Sequence, residues 1–232
     1  MSLQLKPLSQ QVLFITGVTS SLGLGTLRAA VNSGSKVFMV SKHESELQKL
    51  QDEMLRQNHV TAFAVADISE IDQLEVAADQ CLATFGTIDT WINFSGADEL
   101  TERETFDSNF WGIVNGCKVA AQILRISGGS LINVANNFTE SHLDTAFKQA
   151  LRGFTESLRK EVLAQKAPLA ISFITIDESR KLELPEETSE KILKCAVSAT
   201  REMKIMSPGR IEKFVKKFQT QMRKKENQVQ VS

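Results

Sequence analysis

Short runs of branched and aromatic residues recur along the chain, separated by stretches in which apolar positions return every three or four residues. The runs fall at residues 11–16 (QVLFIT), Lys36–Ser41 (KVFMVS), 60–66, Thr90–Phe94 (TWINF), 130–135 (SLINVA) and 170–176. They are apolar at successive positions rather than at every second one, the pattern of strands buried on both faces in a parallel sheet. The stretches between them have helical spacing. Residues 44–57 bring Leu47, Leu50, Met54 and Leu55 together, and His142–Ala164 carries Ala146, Ala150, Leu151, Phe154, Leu158 and Val162 on one face. Further helices are predicted over 22–33, 69–85, 105–126 and 186–202. Strands alternating with helices in this way predict an α/β fold, a doubly wound parallel sheet with helices on both faces. Residues 1–206 read as one domain. Ser207-Pro208-Gly209 then breaks the pattern, and 207–232 reads as a basic helix over 210–225 with a polar tail. That segment is a solvated terminal helix or, alternatively, a basic arm for a partner.

Composition narrows the function. The chain of 232 residues is 42% apolar and 24% charged, values of a soluble globular protein that needs no metal or disulfide to hold its core. A net charge of −1 provides no field for nucleic acid or an anionic membrane. No run approaches a membrane span, and MSLQLKPLSQ lacks the apolar core of a signal peptide. Cys81, Cys117 and Cys195 are widely spaced with no CxxC pair, which predicts no metal site, no disulfides and a reducing, cytoplasmic setting. Tyrosine is absent altogether, so no mechanism can use a phenol of this chain.

The candidate chemistry begins after the first strand, at Thr16-Gly17-Val18-Thr19-Ser20-Ser21-Leu22-Gly23-Leu24-Gly25. A glycine turn between a strand and a helix is the context of a dinucleotide site. Gly17 turns the chain out of the strand, and Gly23 lets the helix approach the sheet. The helix N-terminus, from Ser21 and Leu22 onward, offers free N–H groups to a pyrophosphate, and Thr19, Ser20 and Ser21 add hydroxyls. A ligand-free Gly/Ser turn is the alternative.

From here the sequence resembles the short-chain dehydrogenase/reductase family, over residues 12–176. The resemblance implies a Rossmann-like fold, a nicotinamide dinucleotide cofactor and hydride transfer to or from a carbonyl or alcohol carbon. The family's turn reads Thr-Gly-x-x-x-Gly-x-Gly; this chain keeps Thr16, Gly17 and Gly23 but has Ser21 at the middle glycine, where a Cβ narrows the space over a pyrophosphate. After the second strand stand Ser41 and Lys42. An acid there would suit a ribose 2′-OH and a base a 2′-phosphate, so NADP(H) is expected over NAD(H); Lys42 as a solvated loop residue is the alternative. Asp67 and Ile68 match the pair that meets the adenine in the family, although Asp67 or Ser69 could simply cap the next helix. Asn93-Phe94-Ser95-Gly96 resembles the family's Asn-Asn-Ala-Gly, implying that Asn93 ties strands together and that Ser95 and Gly96 line the cofactor ribose.

The family's main branch uses an Asn–Ser–Tyr–Lys set. Asn109 matches the asparagine, and Lys148 matches the lysine, which also holds the ribose. Four residues before Lys148, the tyrosine position holds Asp144. The serine position falls on Asn136, only eight residues before Asp144, so that loop is shortened as well as substituted. A carboxylic acid titrates about six units below a phenol and is a poor proton donor at neutral pH. Asp144 and Lys148 therefore read as an i,i+4 surface ion pair. His142 has a suitable pKa class for an alternative acid but could equally be solvated. The family's Pro-Gly after the sixth strand is replaced by Asp177-Glu178, and the substrate lid is expected to be short. Three readings remain open: an NADP(H)-dependent oxidoreductase with a non-phenolic acid and an unidentified small carbonyl or alcohol substrate, a silent nucleotide-binding sensor, and an interaction protein on the same scaffold. No metal is expected. In the similar family the helices corresponding to 105–126 and 142–164 pair subunits, which implies a homodimer or homotetramer.

Overall fold

The computed structural model describes residues 3–94, 102–136, 142–177 and 186–206. Seven strands and six helices alternate: β1 (Val12–Thr16), α1 (Ser21–Asn32), β2 (Lys36–Ser41), α2 (Glu44–Arg56), β3 (Thr61–Val65), α3 (Ile71–Phe85), β4 (Thr90–Phe94), α4 (Glu102–Ser127), β5 (Gly129–Asn136), α5 (His142–Ala164), β6 (Leu169–Asp177), α6 (Glu186–Val197) and β7 (Glu202–Met206). The strands form one parallel sheet in the order β3-β2-β1-β4-β5-β6-β7. The order reverses between β1 and β4, and in open α/β sheets ligands bind beyond the carboxyl ends of the strands at that point.

The doubly apolar strands supply two cores. On one face Phe38, Phe14 and Trp91 stand side by side across β2, β1 and β4 and pack under α3, α4 and α5. Phe14 stacks on Trp91 with ring centroids 3.9 Å apart. On the other face Leu13, Ile15, Met39 and Ile92 meet Leu27 of α1, Leu47 of α2 and Ile192 of α6. Each layer excludes water from one side of the same strands, so neither is dispensable.

Two expectations need correction. The helix predicted over 186–202 ends at Val197, and a seventh strand follows. Beyond the helix end Ser198 Oγ donates to Lys194 O and satisfies one of its last carbonyls, and Arg201 O accepts the backbone N–H of Phe173. The segment EMKIM is a five-residue edge strand, half polar, and its charged residues imitate a helix surface. Arg159 secures it from α5, donating to Ile171 O at 3.1 and 3.2 Å and to Arg201 O at 2.7 Å, with Glu156 as its charge partner. The third helix starts at Ile71 rather than Ser69, because Asp67 draws Ser69 into a turn of its own. Neither Asp67 nor Ser69 is the cap; Glu70 holds that position without a side-chain bond. Among the described residues no helix is long and apolar enough to cross a membrane.

Candidate active site

The turn from β1 into α1 is built by close backbone approach. Gly17 has φ +67, and a Cβ there would lie 2.9 Å from Phe94 O. A Cβ on Gly23 would lie 2.3 Å from Gly17 O and 2.7 Å from Val18 Cα, so only glycine allows α1 to close on the strand end. Ser20 caps the helix: its Oγ accepts from Gly23 N at 3.1 Å and donates to Gly17 O at 2.7 Å. The hydroxyl expected to reach a phosphate is thus engaged in shaping the turn. Ser21 opens α1 with an exposed side chain, and Leu22 is buried behind it. Their amides are the first in the helix, where no intrahelical acceptor exists.

Neighbouring strand ends complete one rim. Thr19 and Ser41 share a hydrogen bond of 3.2 Å between their hydroxyls, and Ser41 Oγ accepts from His43 N at 3.2 Å. Lys42 is exposed beside them. Beyond β3, Asp67 Oδ1 accepts from Ser69 N at 2.9 Å and Ser69 Oγ at 2.7 Å, an Asx turn that presents Asp67 and Ile68, both half-buried.

Beneath the rim lies a polar cluster that sequence reasoning located only at Asn93. Thr16, Asn93 and Asn133 occupy one lateral row of β1, β4 and β5. Asn93 Oδ1 accepts from Trp91 Nε1 at 2.7 Å and Thr16 Oγ1 at 3.2 Å, and its Nδ2 donates to Asn133 Oδ1 at 2.9 Å. Asn133 Nδ2 donates to Cys117 Sγ of α4 at 3.2 Å and to Thr155 Oγ1 of α5 at 3.1 Å. Each of these side chains is buried, and the side-chain oxygen and nitrogen of both asparagines have partners within the cluster. The row pins α4 and α5 to the sheet. Gly116 belongs to it, since a Cβ there would sit 2.2 Å from Asn93 Oδ1. The available sequence signal was an asparagine inside the apolar run SLINVA.

Above this cluster, α4 carries buried Asn109, and α5 carries half-buried Lys148 in its second turn. His142, the first residue of α5, is exposed. Asn136 ends β5 and Asp144 lies in the first turn of α5. The side chains of Asn136 and Asp144 lie outside the described residues, as do Ser95, Gly96, the loop over 137–141, the lid region at 178–185 and the tail at 207–232.

None of the cysteines is placed to act as a nucleophile. Burial pushes the Cys117 thiol up to about 12, against the opposing hydrogen bonds of Asn133 and Asn93. Burial, with the charge of Asp89 adding to it, takes Cys81 to about 12, and burial also raises Cys195. Unfolded thiols ionise near the ordinary value of 9.0 while the folded ones stay protonated to about 12. Between those values the native state binds more protons, so stability should fall as pH rises, by about 1.4 kcal/mol per pH unit per thiol. Urea titrations from pH 8 to 11 measure that slope; a flat profile contradicts it. Among the described residues no group of three or more His, Cys, Asp or Glu side chains could hold a metal.

A family model for short chain dehydrogenases matches residues 11–177. The chain is 35% identical over 188 residues to the uncharacterized oxidoreductase YxnA of Bacillus subtilis (strain 168), covering 74% of this chain and 53% of that protein. It is 27% identical over 167 residues to 11-beta-hydroxysteroid dehydrogenase A of Sesamum indicum, covering 65% of this chain and 48% of that one. The chain therefore spans about half the length of the curated relatives it matches. Two crystal structures share its fold, each with a TM-score of 0.73. One is a short chain dehydrogenase/reductase family oxidoreductase from Aeromonas hydrophila subsp. hydrophila ATCC 7966, with 22% identity over 85% of this chain and 98% of that chain. The other is a metagenomic short-chain oxidoreductase in complex with NADP, with 19% identity over 87% of this chain and 99% of that chain. A matching model over most of the chain, laid on a parallel sheet whose glycine turn sits at the switch point, makes this chain a member of the short-chain dehydrogenase/reductase family.

Proposed function

We propose that this chain binds a nicotinamide dinucleotide, NADP(H) in preference to NAD(H), and acts as an oxidoreductase on a small carbonyl or alcohol without a phenolic acid. The observation that carries the reading is the β1–α1 turn. Its backbone approach admits glycine alone at Gly23, and its cap leaves the first amides of α1 directed to where a pyrophosphate would lie. The metagenomic short-chain oxidoreductase of the same fold is in complex with NADP, which supports dinucleotide binding as such. Ser21 and Leu22 would hold the phosphates, with Gly17, Ser20 and Gly23 shaping the turn. Ser41, Thr19 and Lys42 would meet the 2′-phosphate, Asp67 and Ile68 the adenine. Asn93, Ser95, Gly96 and Lys148 would support the ribose side.

When bound, the dinucleotide supplies or accepts a hydride. Reduction of a carbonyl also consumes a proton, which this chain must deliver by another group. Asn136 would orient the substrate oxygen, Asn109 and Lys148 would hold a water, and His142 is the nearby titratable donor. Asp144 occupies the usual acid position. Self-association through α4 and α5 belongs to this reading, supported by the exposure of Trp111, Ile126 and Leu163. A cytoplasmic setting is supported by three buried free thiols.

A second reading, a catalytically silent nucleotide sensor or an interaction protein on the same scaffold, is favoured by one fact: the chain contains no tyrosine. Transfer of deuterium from 4-deuterated NADPH to a panel of aldehydes and ketones separates the readings. The oxidoreductase reading expects labelled alcohol, formed about 10²-fold more slowly by His142→Ala. No label from any carbonyl, with NADPH bound, selects the silent one.

A further inference from the structure

The loop that joins β3 to α3 is held from outside by α4. Asn115 is buried, and its Nδ2 donates to two successive carbonyls of that loop, Ile68 O at 3.3 Å and Ser69 O at 2.8 Å. One turn earlier on the same helix, Gly112 lies against the Ile68 side chain; a Cβ there would stand 2.6 Å from both Ile68 Cγ1 and Cδ1. Within the turn itself the bonds are local. Asp67 accepts from Ser69, and Gln73 Oε1 accepts Asp67 N at 2.8 Å, which sets the shape of the turn. Ala66 N donates to Ser41 O of β2 at 3.0 Å and anchors the start of the loop; on the helix side the turn is held by Asn115 and Gly112. Two adjacent carbonyls facing the same way repel each other unless one group with two protons bridges them, and a primary amide does this.

We infer that Asn115 is a positioning residue for the adenosine half of the cofactor site, holding the Ile68–Ser69 carbonyls so that Asp67 and Ile68 face the base. The inference rests on the dinucleotide reading above. It makes α4 serve both halves of the site: Asn109 stands toward the reacting end, and Gly112 and Asn115, three and six residues further along, fix the adenine end.

Asn115→Leu keeps the volume and removes the donor; Gly112→Ala pushes on the same loop through Ile68 and carries the test should the first variant fail to fold. The wild type and both variants are titrated by calorimetry with the tighter-binding dinucleotide and with its adenosine half, adenosine 2′,5′-bisphosphate or 5′-AMP. Asn115→Leu is expected to weaken the dinucleotide and the adenosine half by the same factor, about 5- to 30-fold. Gly112→Ala acts in the same direction with a smaller factor, because the end of Ile68 can shift. A lower melting temperature with both affinities unchanged overturns the inference and leaves Asn115 a fold residue. A loss confined to the dinucleotide also overturns it. If the wild type binds no dinucleotide at all, the cofactor reading itself fails and this inference falls with it.

Discussion

Gly23→Ala is expected to abolish nucleotide binding and to destabilise the fold by about 2–4 kcal/mol. The added methyl would meet three backbone atoms, Gly17 O at 2.3 Å, Val18 Cα at 2.7 Å and Val18 C at 2.9 Å. No flexible side chain lies there to yield. Either α1 moves away from β1 or the turn opens, and both displace the first amides of the helix. The Ser20–Gly23 cap is lost in either case. Ser20→Ala serves as the comparison: removing the cap alone should cost about 1 kcal/mol and weaken binding without eliminating it. Urea denaturation and NADPH titration of the two variants measure both effects. A Gly23→Ala protein with wild-type stability and affinity would show that the turn is not closed as described.

Asn93→Leu is expected to cost about 3–5 kcal/mol although the replacement is apolar and of similar size. The site is fully buried, so the question is which partners are stranded. Trp91 Nε1 and Thr16 Oγ1 lose their acceptor, and Asn133 Oδ1 loses a donor. Each stranded group in a dry core costs about 1–3 kcal/mol, and the costs overlap because the groups share one network. Asn133→Ala should therefore add little once Asn93 has been replaced, a coupling a double-mutant cycle reads directly. A single-variant loss below about 1 kcal/mol would mean that water or a shifted rotamer satisfies the cluster.

The parts of the fold legible in the sequence are those governed by short-range pattern. β1, β2, β4, β5 and β6 announce themselves because both faces are buried, β3 because its edge run TAFAV is nearly all apolar although it is only partly covered, and β2 and β4 fall at their predicted limits. β7 escapes notice because an edge strand needs only one apolar face. Glu202 is exposed and pairs with Arg152 of α5, while Ile205 is buried in the core. The glycine turn was legible because backbone approach restricts residue type. Its cap was not fully so: a serine near a phosphate position can bind ligand or backbone, and Ser20 binds backbone. The Asn93–Asn133–Cys117–Thr155 cluster and the grip of Asn115 on the β3–α3 loop depend on residues 16 to 47 positions apart, and no local periodicity encodes such pairs. The absence of tyrosine, by contrast, was visible from composition alone.

The β1–α1 turn is proposed to be a working dinucleotide site. Calorimetric titration of the full chain with NADPH and with NADH tests it most directly. Saturable micromolar binding of NADPH is expected, with NADH weaker because Ser41 and Lys42 offer no acid to a free ribose. Absence of binding by either nucleotide up to millimolar concentration would contradict it and reduce the turn to scaffold.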